Sequence, residues 1–281
     1  MARLASVEKA GFYPLPTSIT DRILTHLAAP HGGRILDPCA GKGVALAHFA
    51  EALALEPYGA ELHHERAEAA TENVVALQGR DALPLQDPHV RRLVCGDYKL
   101  LNVTLGGVNL LYLNPPYNHD HEAGRLEYQF LRDSRPWLQP DGVLLFVIPQ
   151  PVLGFRKLAR YLASWFADLQ IWRFPQPEYS AFRQVVLFGT RRERAHAPET
   201  GAVTRLVELA AQGEGLPALP WATAPSFTLP APRVPAERYH FASRYVDHED
   251  AIQEAAAAGV RTTARWRERL TVRDDLRLPV R

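Results

Sequence analysis

Two strongly apolar runs constrain the fold more than any other feature of the sequence. They occupy residues 108–113 (VNLLYL) and 142–148 (GVLLFVI), and a helical pattern over residues 127–138 separates them. A strand that does not alternate between polar and apolar residues is buried on both faces, and such strands alternating with helices are typical of a parallel sheet covered on both sides. The sequence therefore predicts an α/β fold.

Shorter segments extend this pattern on either side. Strands are predicted over residues 34–36, 57–62 and 92–95. Helices are predicted over residues 17–29, 66–77 and from the DPCAGKG turn to Leu53, with Thr17 or Ser18 as the N-cap of the first. Residues 169–174 and 184–190 are expected to close the sheet as an antiparallel hairpin.

Composition narrows the class of protein. Of 281 residues, 47% are hydrophobic and 22% charged, which is a globular composition, and the formal net charge is +1. A balanced charge gives no overall attraction to nucleic acid, so a nucleic-acid substrate would need a local patch. No apolar run is long enough to span a membrane, and Cys39 and Cys95 are too few for a disulfide framework or a zinc site. We expect a cytoplasmic protein without a metal.

The segment DPCAGKG lies between a predicted strand and a predicted helix, where doubly wound folds bind ligands. A phosphate loop is excluded because Lys42 is followed by Gly43 instead of Ser or Thr, and a dinucleotide site is disfavoured because Leu46 replaces the third glycine. An acid at the strand end followed by GxG is the remaining pattern, and it indicates S-adenosylmethionine. The candidate cofactor residues here are Asp37, Pro38, Ala40, Gly41 and Gly43.

Two more acids follow predicted strands. Glu61 ends the second strand, where a carboxylate can accept hydrogen bonds from both ribose hydroxyls, and Asp97 ends the third, where it can accept from the adenine amino group. Each acid taken alone is more often a surface or capping carboxylate. Three of them at successive strand ends, one beside a GxG turn, favour a cofactor site.

The segment Tyr13-Pro14-Leu15-Pro16-Thr17 opens the first predicted helix. Tyr13, Pro14 and Thr17 are candidates for a wall over the methionine part of the cofactor, with the helix N-terminus facing its carboxylate. A hydrophobic staple followed by an N-terminal proline explains the same residues equally well.

Asn114-Pro115-Pro116-Tyr117 follows the fourth strand without a gap. Two prolines fix φ and prevent further sheet pairing, so the turn is stiff. The amine of adenine is flat because its lone pair is delocalised into the ring. Hydrogen bonds from its N–H groups to the Asn114 side chain and the Pro115 carbonyl would favour a pyramidal, nucleophilic nitrogen, with Tyr117 stacked on the base.

The order YPxP, DPxxGxG, Glu, GD and NPPY resembles the amino-methyltransferases of the class I S-adenosylmethionine fold. It is most similar to N6-adenine DNA methyltransferases, including uncharacterised members in bacterial mobile elements. The resemblance covers roughly residues 10–190 and implies a Rossmann-like, mostly parallel seven-stranded sheet with an antiparallel C-terminal hairpin. It also implies that Asp37, Glu61 and Asp97 bind S-adenosylmethionine and that the NPPY residues hold the base.

The resemblance favours N6 of adenine in DNA as the methyl acceptor. An RNA base and a protein glutamine amide, which presents a similar flat nitrogen, stay open as alternatives. So does a non-catalytic subunit of a defence or mobile-element complex.

Two aromatic residues are candidates for a second stacking face on the substrate. Tyr179 and Phe182 lie between the last two predicted strands, on the same edge as the NPPY turn. Aromatic packing at the sheet edge is at least as good an explanation of both.

A change in composition suggests a boundary near residue 194. Residues 1–194 are predicted to form the methyltransferase domain, and residues 195–281 a Pro/Ala-rich connector with a small helical region over 249–270. A set of arginines in that region is either a phosphate-binding face or a solvated helix: Arg261, Arg265, Arg267 and Arg269. A protein partner for the C-terminal region and the oligomeric state are left open.

Overall fold

The structure, a computed structural model, describes residues 13–77, 92–117, 119–120 and 124–244. Almost all of them belong to a compact unit that ends at Ala242, after which a second unit begins. The helix predicted over residues 249–270, with its four arginines, lies outside the described residues.

Seven strands form the central sheet. In chain order they are β2 (Arg34–Asp37), β3 (Glu56–Glu61), β4 (Leu93–Cys95), β6 (Val108–Leu113), β9 (Leu138–Pro149), β10 (Phe166–Arg173) and β11 (Gln184–Arg191). Their spatial order is β10-β11-β9-β6-β2-β3-β4. The strands from β9 to β4 pair in parallel, and β11 pairs antiparallel with both β9 and β10. The predicted α/β sheet with an antiparallel C-terminal hairpin is confirmed.

Seven α-helices connect or flank these strands in the described residues. They are α1 (Thr17–Leu24), α2 (Val44–Leu53), α3 (His64–Val75), α4 (Leu126–Ser134), α5 (Arg156–Trp165), α6 (Glu178–Phe182) and α7 (Ala202–Leu209). The remaining short strands are β1 (Leu27–Ala28), β5 (Leu101–Val103), β7 (His119–Asp120), β8 (Gly124–Arg125), β12 (Phe227–Thr228) and β13 (Phe241–Ser243).

Burial on both faces explains why polar and apolar residues do not alternate along the central strands. All six residues of β6 are buried. Neighbouring residues on paired strands alternate between two hydrophobic clusters, so each face of the sheet has a core of its own. Ile35, Leu110 and Val143 belong to one cluster, and Leu36, Leu111 and Leu144 belong to the other.

Several predicted helix boundaries are wrong, three of them for a clear local reason. The N-cap of α1 is Pro16 instead of Thr17 or Ser18, and the proline ring has no atom that can accept a capping hydrogen bond. This helix ends at Leu24, since β1 follows it and pairs with β12. The helix predicted over residues 127–138 ends at Ser134 and continues as a single 3-10 turn, after which Leu138 already belongs to β9.

Residues 195–242 pack against the sheet, so the compact unit extends past the boundary predicted at residue 194. The apolar residues of this segment are scattered among prolines, yet five of them are buried: Leu206, Leu216, Leu219, Phe227 and Leu229. Polar side chains of the sheet bind its backbone as well. Asn109 donates to the Pro230 carbonyl at 2.8 Å, and Gln139 donates to the Ala231 carbonyl at 3.0 Å.

None of the helices in the described part of the chain combines the length and the apolar character needed to span a bilayer.

The buried Asn109 side chain is expected to contribute measurably to the free energy of unfolding. It is fully buried, accepts from the Arg34 N–H at 2.9 Å and donates to Pro230, so Asn109→Ala leaves two backbone groups without their partner. We expect a loss of about 1–3 kcal/mol in the free energy of unfolding, measured with a chemical denaturant. Asn73→Ala is the control, because that side chain makes an exposed bond to the Lys42 carbonyl. Equal losses in the two variants would contradict this role.

Candidate functional site

The candidate site lies where the strand order reverses, between β2 and β6. Doubly wound folds bind ligands in the crevice at such a point, beyond the carboxyl ends of the strands. A cleft of about 170 Å³ opens here. We call it the switch-point cleft, and its lining residues are Tyr13, Pro14, Leu15, Asp37, Cys39, Ala40, Lys42, Gly43, Val44, Ala45, Tyr112 and Asn114.

The turn after β2 owes its shape to two glycines. Gly41 and Gly43 have φ values of 55° and 72°, a region that residues with a Cβ rarely adopt. A Cβ on Gly43 would also lie 2.8 Å from the Cα of Ala70 in α3. The second glycine of the GxG motif is therefore required by its backbone conformation and by close packing between the turn and a helix.

Asp37 places a buried carboxyl group in the cleft. It is 2% exposed, and one of its oxygens accepts the Cys39 N–H at 3.0 Å. Burial raises the pKa of Asp37 from 3.8 to about 7, and the nearby charge of Glu61 adds to this rise, while the hydrogen bonds from Cys39 oppose it. The carboxylate would be stabilised by a cationic group bound in the cleft.

Glu61 does not line the switch-point cleft. Its carboxylate accepts the Gly41 N–H at 2.9 Å and the His63 N–H at 2.9 Å, and it forms an ion pair with Arg66 at 2.7 Å. These bonds connect the glycine turn to the end of β3. The predicted contact with ribose stays a prediction, and it would have to share this carboxylate with Arg66.

Asp97 is not among the residues that line the switch-point cleft. It is exposed and caps the 3-10 turn Tyr98–Leu100 by accepting the Lys99 N–H at 2.9 Å. Thr17 is exposed at the start of α1, and Pro38 is buried in the turn; neither lines the cleft. Their predicted contacts with the cofactor are untested.

Two hydrogen bonds hold the side chain of Asn114, the first residue of the NPPY turn. The side-chain nitrogen of Asn114 donates to the Tyr13 carbonyl at 2.7 Å, and the Tyr117 hydroxyl donates to Asn114 Oδ1 at 2.8 Å. The Tyr13 and Tyr117 rings stack with centroids 4.9 Å apart and an angle of 16° between their planes. The orientation of the Asn114 amide is therefore fixed, with its oxygen toward Tyr117.

The two aromatic candidates for a second stacking face differ in exposure. Tyr179 is 3% exposed, belongs to a core cluster and donates its hydroxyl to Gln150, which matches the edge-packing explanation. Phe182 is 38% exposed and contacts the Tyr13 ring edge-on at 5.1 Å. The structure therefore leaves Phe182 accessible to a substrate and buries Tyr179.

Among the residues that the structure describes, no three His, Cys, Asp or Glu side chains come together as a metal-binding group.

Sequence comparison assigns the family. An uncharacterised methyltransferase family, DUF6094, matches residues 1–232 of the chain. The chain belongs to this family. No protein of curated function matches this methyltransferase in sequence.

Solved structures share its fold at low sequence identity. The methyltransferase subunit of a type I restriction-modification system from Streptococcus thermophilus has a TM-score of 0.50 and 12% identity, and the match covers 88% of this chain and 57% of that one. A putative class I S-adenosylmethionine-dependent methyltransferase from Listeria monocytogenes has a TM-score of 0.49 and 14% identity, covering 76% and 77%. The first of these, together with the strand order, confirms the Rossmann-like class I fold.

Tyr112 and Gln184 are among the residues of the candidate site that sequence reasoning missed. Tyr112 lines the cleft from within β6. It belongs to an apolar run, so the sequence indicated only that it is buried in the sheet. Gln184 is 3% exposed at the start of β11 and donates to the Tyr117 hydroxyl. A glutamine at the head of an apolar strand was the signal for the second residue.

The raised pKa of Asp37 predicts how stability depends on pH. An acid whose pKa rises on folding holds its proton more tightly in the folded chain, so the free energy of unfolding falls as pH rises from about 4 to about 7. The rise in pKa corresponds to on the order of 4 kcal/mol.

Asp37→Asn tests this, because asparagine keeps the oxygen that accepts the Cys39 N–H and cannot ionise. Denaturant unfolding of the ligand-free protein between pH 4 and pH 8 is the measurement. We expect the variant to gain stability relative to the wild type over this interval. A constant difference between the two proteins would contradict the assigned pKa.

Proposed function

We propose that this methyltransferase transfers the methyl group of S-adenosylmethionine to the N6 amine of adenine in DNA. The observation that carries the proposal is the position of Asn114, which lines the switch-point cleft and begins the NPPY turn. A group bound in the cleft and a base held at the turn would then meet at this residue.

The chemistry of the cleft fits the methionine end of the cofactor. Asp37 offers a buried carboxylate to its ammonium group. Gly43, Val44 and Ala45 line the cleft where α2 begins, and the N–H groups at a helix N-terminus favour a carboxylate. When bound, S-adenosylmethionine supplies an electrophilic methyl group on a positively charged sulfur.

The chain's own contribution is to orient the acceptor nitrogen. Asn114 Oδ1 already accepts the Tyr117 hydroxyl, and a carbonyl oxygen has a second lone pair that can accept an amine N–H. The Pro115 carbonyl would accept the other N–H from the stiff double-proline turn. Both bonds would direct the nitrogen lone pair toward the methyl group. As the C–N bond forms, the bond between the methyl group and sulfur would break, the sulfur would leave as a neutral thioether, and the amine proton would be released to solvent.

The stacking of Tyr13 on Tyr117 limits how a base can stack at the turn. One face of the Tyr117 ring lies against Tyr13, so a base would either use the other face or displace Tyr13. A base in a duplex must also be flipped out of the helix to reach this site. Phe182, which is exposed beside Tyr13, would contact the base as well.

The acceptor is tested by supplying tritiated S-adenosylmethionine with DNA, RNA or protein and analysing the labelled nucleosides. We expect label in DNA as N6-methyladenine, because the two acceptors at the turn match the two N–H groups of that amine. Label in RNA alone would correct the substrate, whereas label confined to protein would refute a nucleic-acid acceptor. Heat-denatured enzyme is the control for non-enzymatic transfer.

A further inference from the structure

A cluster of exposed basic residues lies near the NPPY turn, although the chain as a whole carries a net charge of only +1. Arg156, Lys157 and Arg160 are exposed on α5, and Arg183 is exposed after α6. Among the described residues none of these four makes a side-chain hydrogen bond or ion pair that neutralises it. We call these four residues the basic rim.

Backbone contacts connect the basic rim to the candidate site. The Gln150 N–H donates to the Arg183 carbonyl at 2.8 Å, and Gln184, the next residue along the chain, donates to the Tyr117 hydroxyl. Gln150 begins the 3-10 turn Gln150–Gly154 that leads into α5. Such a turn rises about 2 Å per residue and the extended Phe155 adds about 3.4 Å per step, so the backbone of Arg156 lies within roughly 15 Å of Gln150. Gln150 and Gln184 therefore connect both parts of the rim, Arg183 and the start of α5, to the surroundings of Tyr117.

The three basic residues of α5 share one face of the helix. Residues four apart on a helix are neighbours, which brings Arg156 and Arg160 together, and Lys157 is adjacent to both. The opposite face packs into the core through Leu158, Ala159 and Leu162. The like charges are therefore concentrated toward solvent.

These charges are also unfavourable for the helix that carries them. Arg156 and Lys157 are in the first turn of α5, which contains no acidic residue, and positive charge near a helix N-terminus is destabilising. An anion beside them would remove this repulsion.

Arg183 is held in an uncommon backbone conformation. Its φ and ψ are 48° and 41°, a left-handed region in which Gly or Asn is usual, and its N–H closes α6 on the Tyr179 carbonyl at 2.8 Å. The arginine contributes no capping bond from its side chain. Arg183 is exposed and directly follows in the chain Phe182, the aromatic residue that the site leaves accessible.

We propose that the basic rim binds the phosphate backbone of the nucleic-acid substrate next to the base that enters the site. This inference rests on the proposed function, and it adds the surface that recognises the substrate strand. Arginine and lysine side chains that contact phosphates release counterions, so the affinity of such a surface falls steeply with salt. The rim also supplies the local patch that a chain of balanced charge needs in order to bind a polyanion.

The test measures the affinity of the full chain for a fluorescent adenine-containing oligonucleotide, single-stranded or duplex, across a series of salt concentrations. A plot of log K against log salt has a negative slope. Each lost phosphate contact makes this slope less steep by about 0.9 on duplex and by about 0.7 on single strands. We expect the slope to become less steep by about twice these values in Arg156→Ala/Lys157→Ala and by about one such value in Arg183→Ala. Affinity for S-adenosylmethionine should be unchanged, and the thermal midpoint should not fall, because the Arg156→Ala/Lys157→Ala variant loses only charges that are unfavourable at the start of α5.

Arg194→Ala is the matched control. Arg194 is an exposed arginine beyond the far end of β11, at the opposite edge of the sheet from Gln184. Its substitution should leave the slope at the wild-type value.

The outcomes separate this inference from the proposed function. If rim variants bind the oligonucleotide with the wild-type slope, the proposed role of the rim is overturned, while the proposed methyl acceptor is unaffected. A wild-type protein that binds the oligonucleotide through the rim but methylates no adenine would overturn the acceptor alone. A wild-type protein with no salt-dependent binding to either oligonucleotide would overturn the rim and the nucleic-acid substrate together.

Discussion

The side-chain amide of Asn114 is the interaction on which the proposed site depends. It joins the segment before α1, through the Tyr13 carbonyl, to the NPPY turn, through the Tyr117 hydroxyl. These bonds fix which way the amide oxygen points. Because a freely rotating amide would present its nitrogen as often as its oxygen, an acceptor for an amine is defined only while both bonds hold. Gln184 supports the arrangement from β11 by binding the Tyr117 hydroxyl.

The cofactor side of the site depends on a second constraint, the glycine turn between β2 and α2. Glu61 holds the Gly41 N–H, and Gly43 packs too closely on Ala70 for any side chain. Together these contacts keep the start of α2 and the Asp37 carboxylate at the same cleft. A bound ammonium would restore the charge that burial disfavours on Asp37, so ligand binding and ionisation of this carboxyl are coupled.

Much of the fold follows from the sequence because buried parallel strands leave a strong local signal. The predicted bounds of β6 match the structure, since a polar, double-proline turn ends an apolar run there. Contacts that join distant segments left no such signal. The bond from Gln184 to Tyr117 spans 67 residues, and the buried leucines after residue 194 are scattered among prolines. Glu61 was predicted at its strand end, but its pairing with Arg66 depends on how α3 begins.

Asn114→Ala, assayed for cofactor binding and methyl transfer in parallel, tests the central claim most directly. Calorimetry should give an affinity for S-adenosylmethionine close to that of the wild type, because Asp37 and the start of α2 are retained, while transfer to DNA should fall by at least about a hundredfold. Asn102→Ala, an exposed substitution on β5, controls for the loss of an amide. Wild-type rates of transfer in Asn114→Ala would contradict the account, because the amine would then be oriented by other groups.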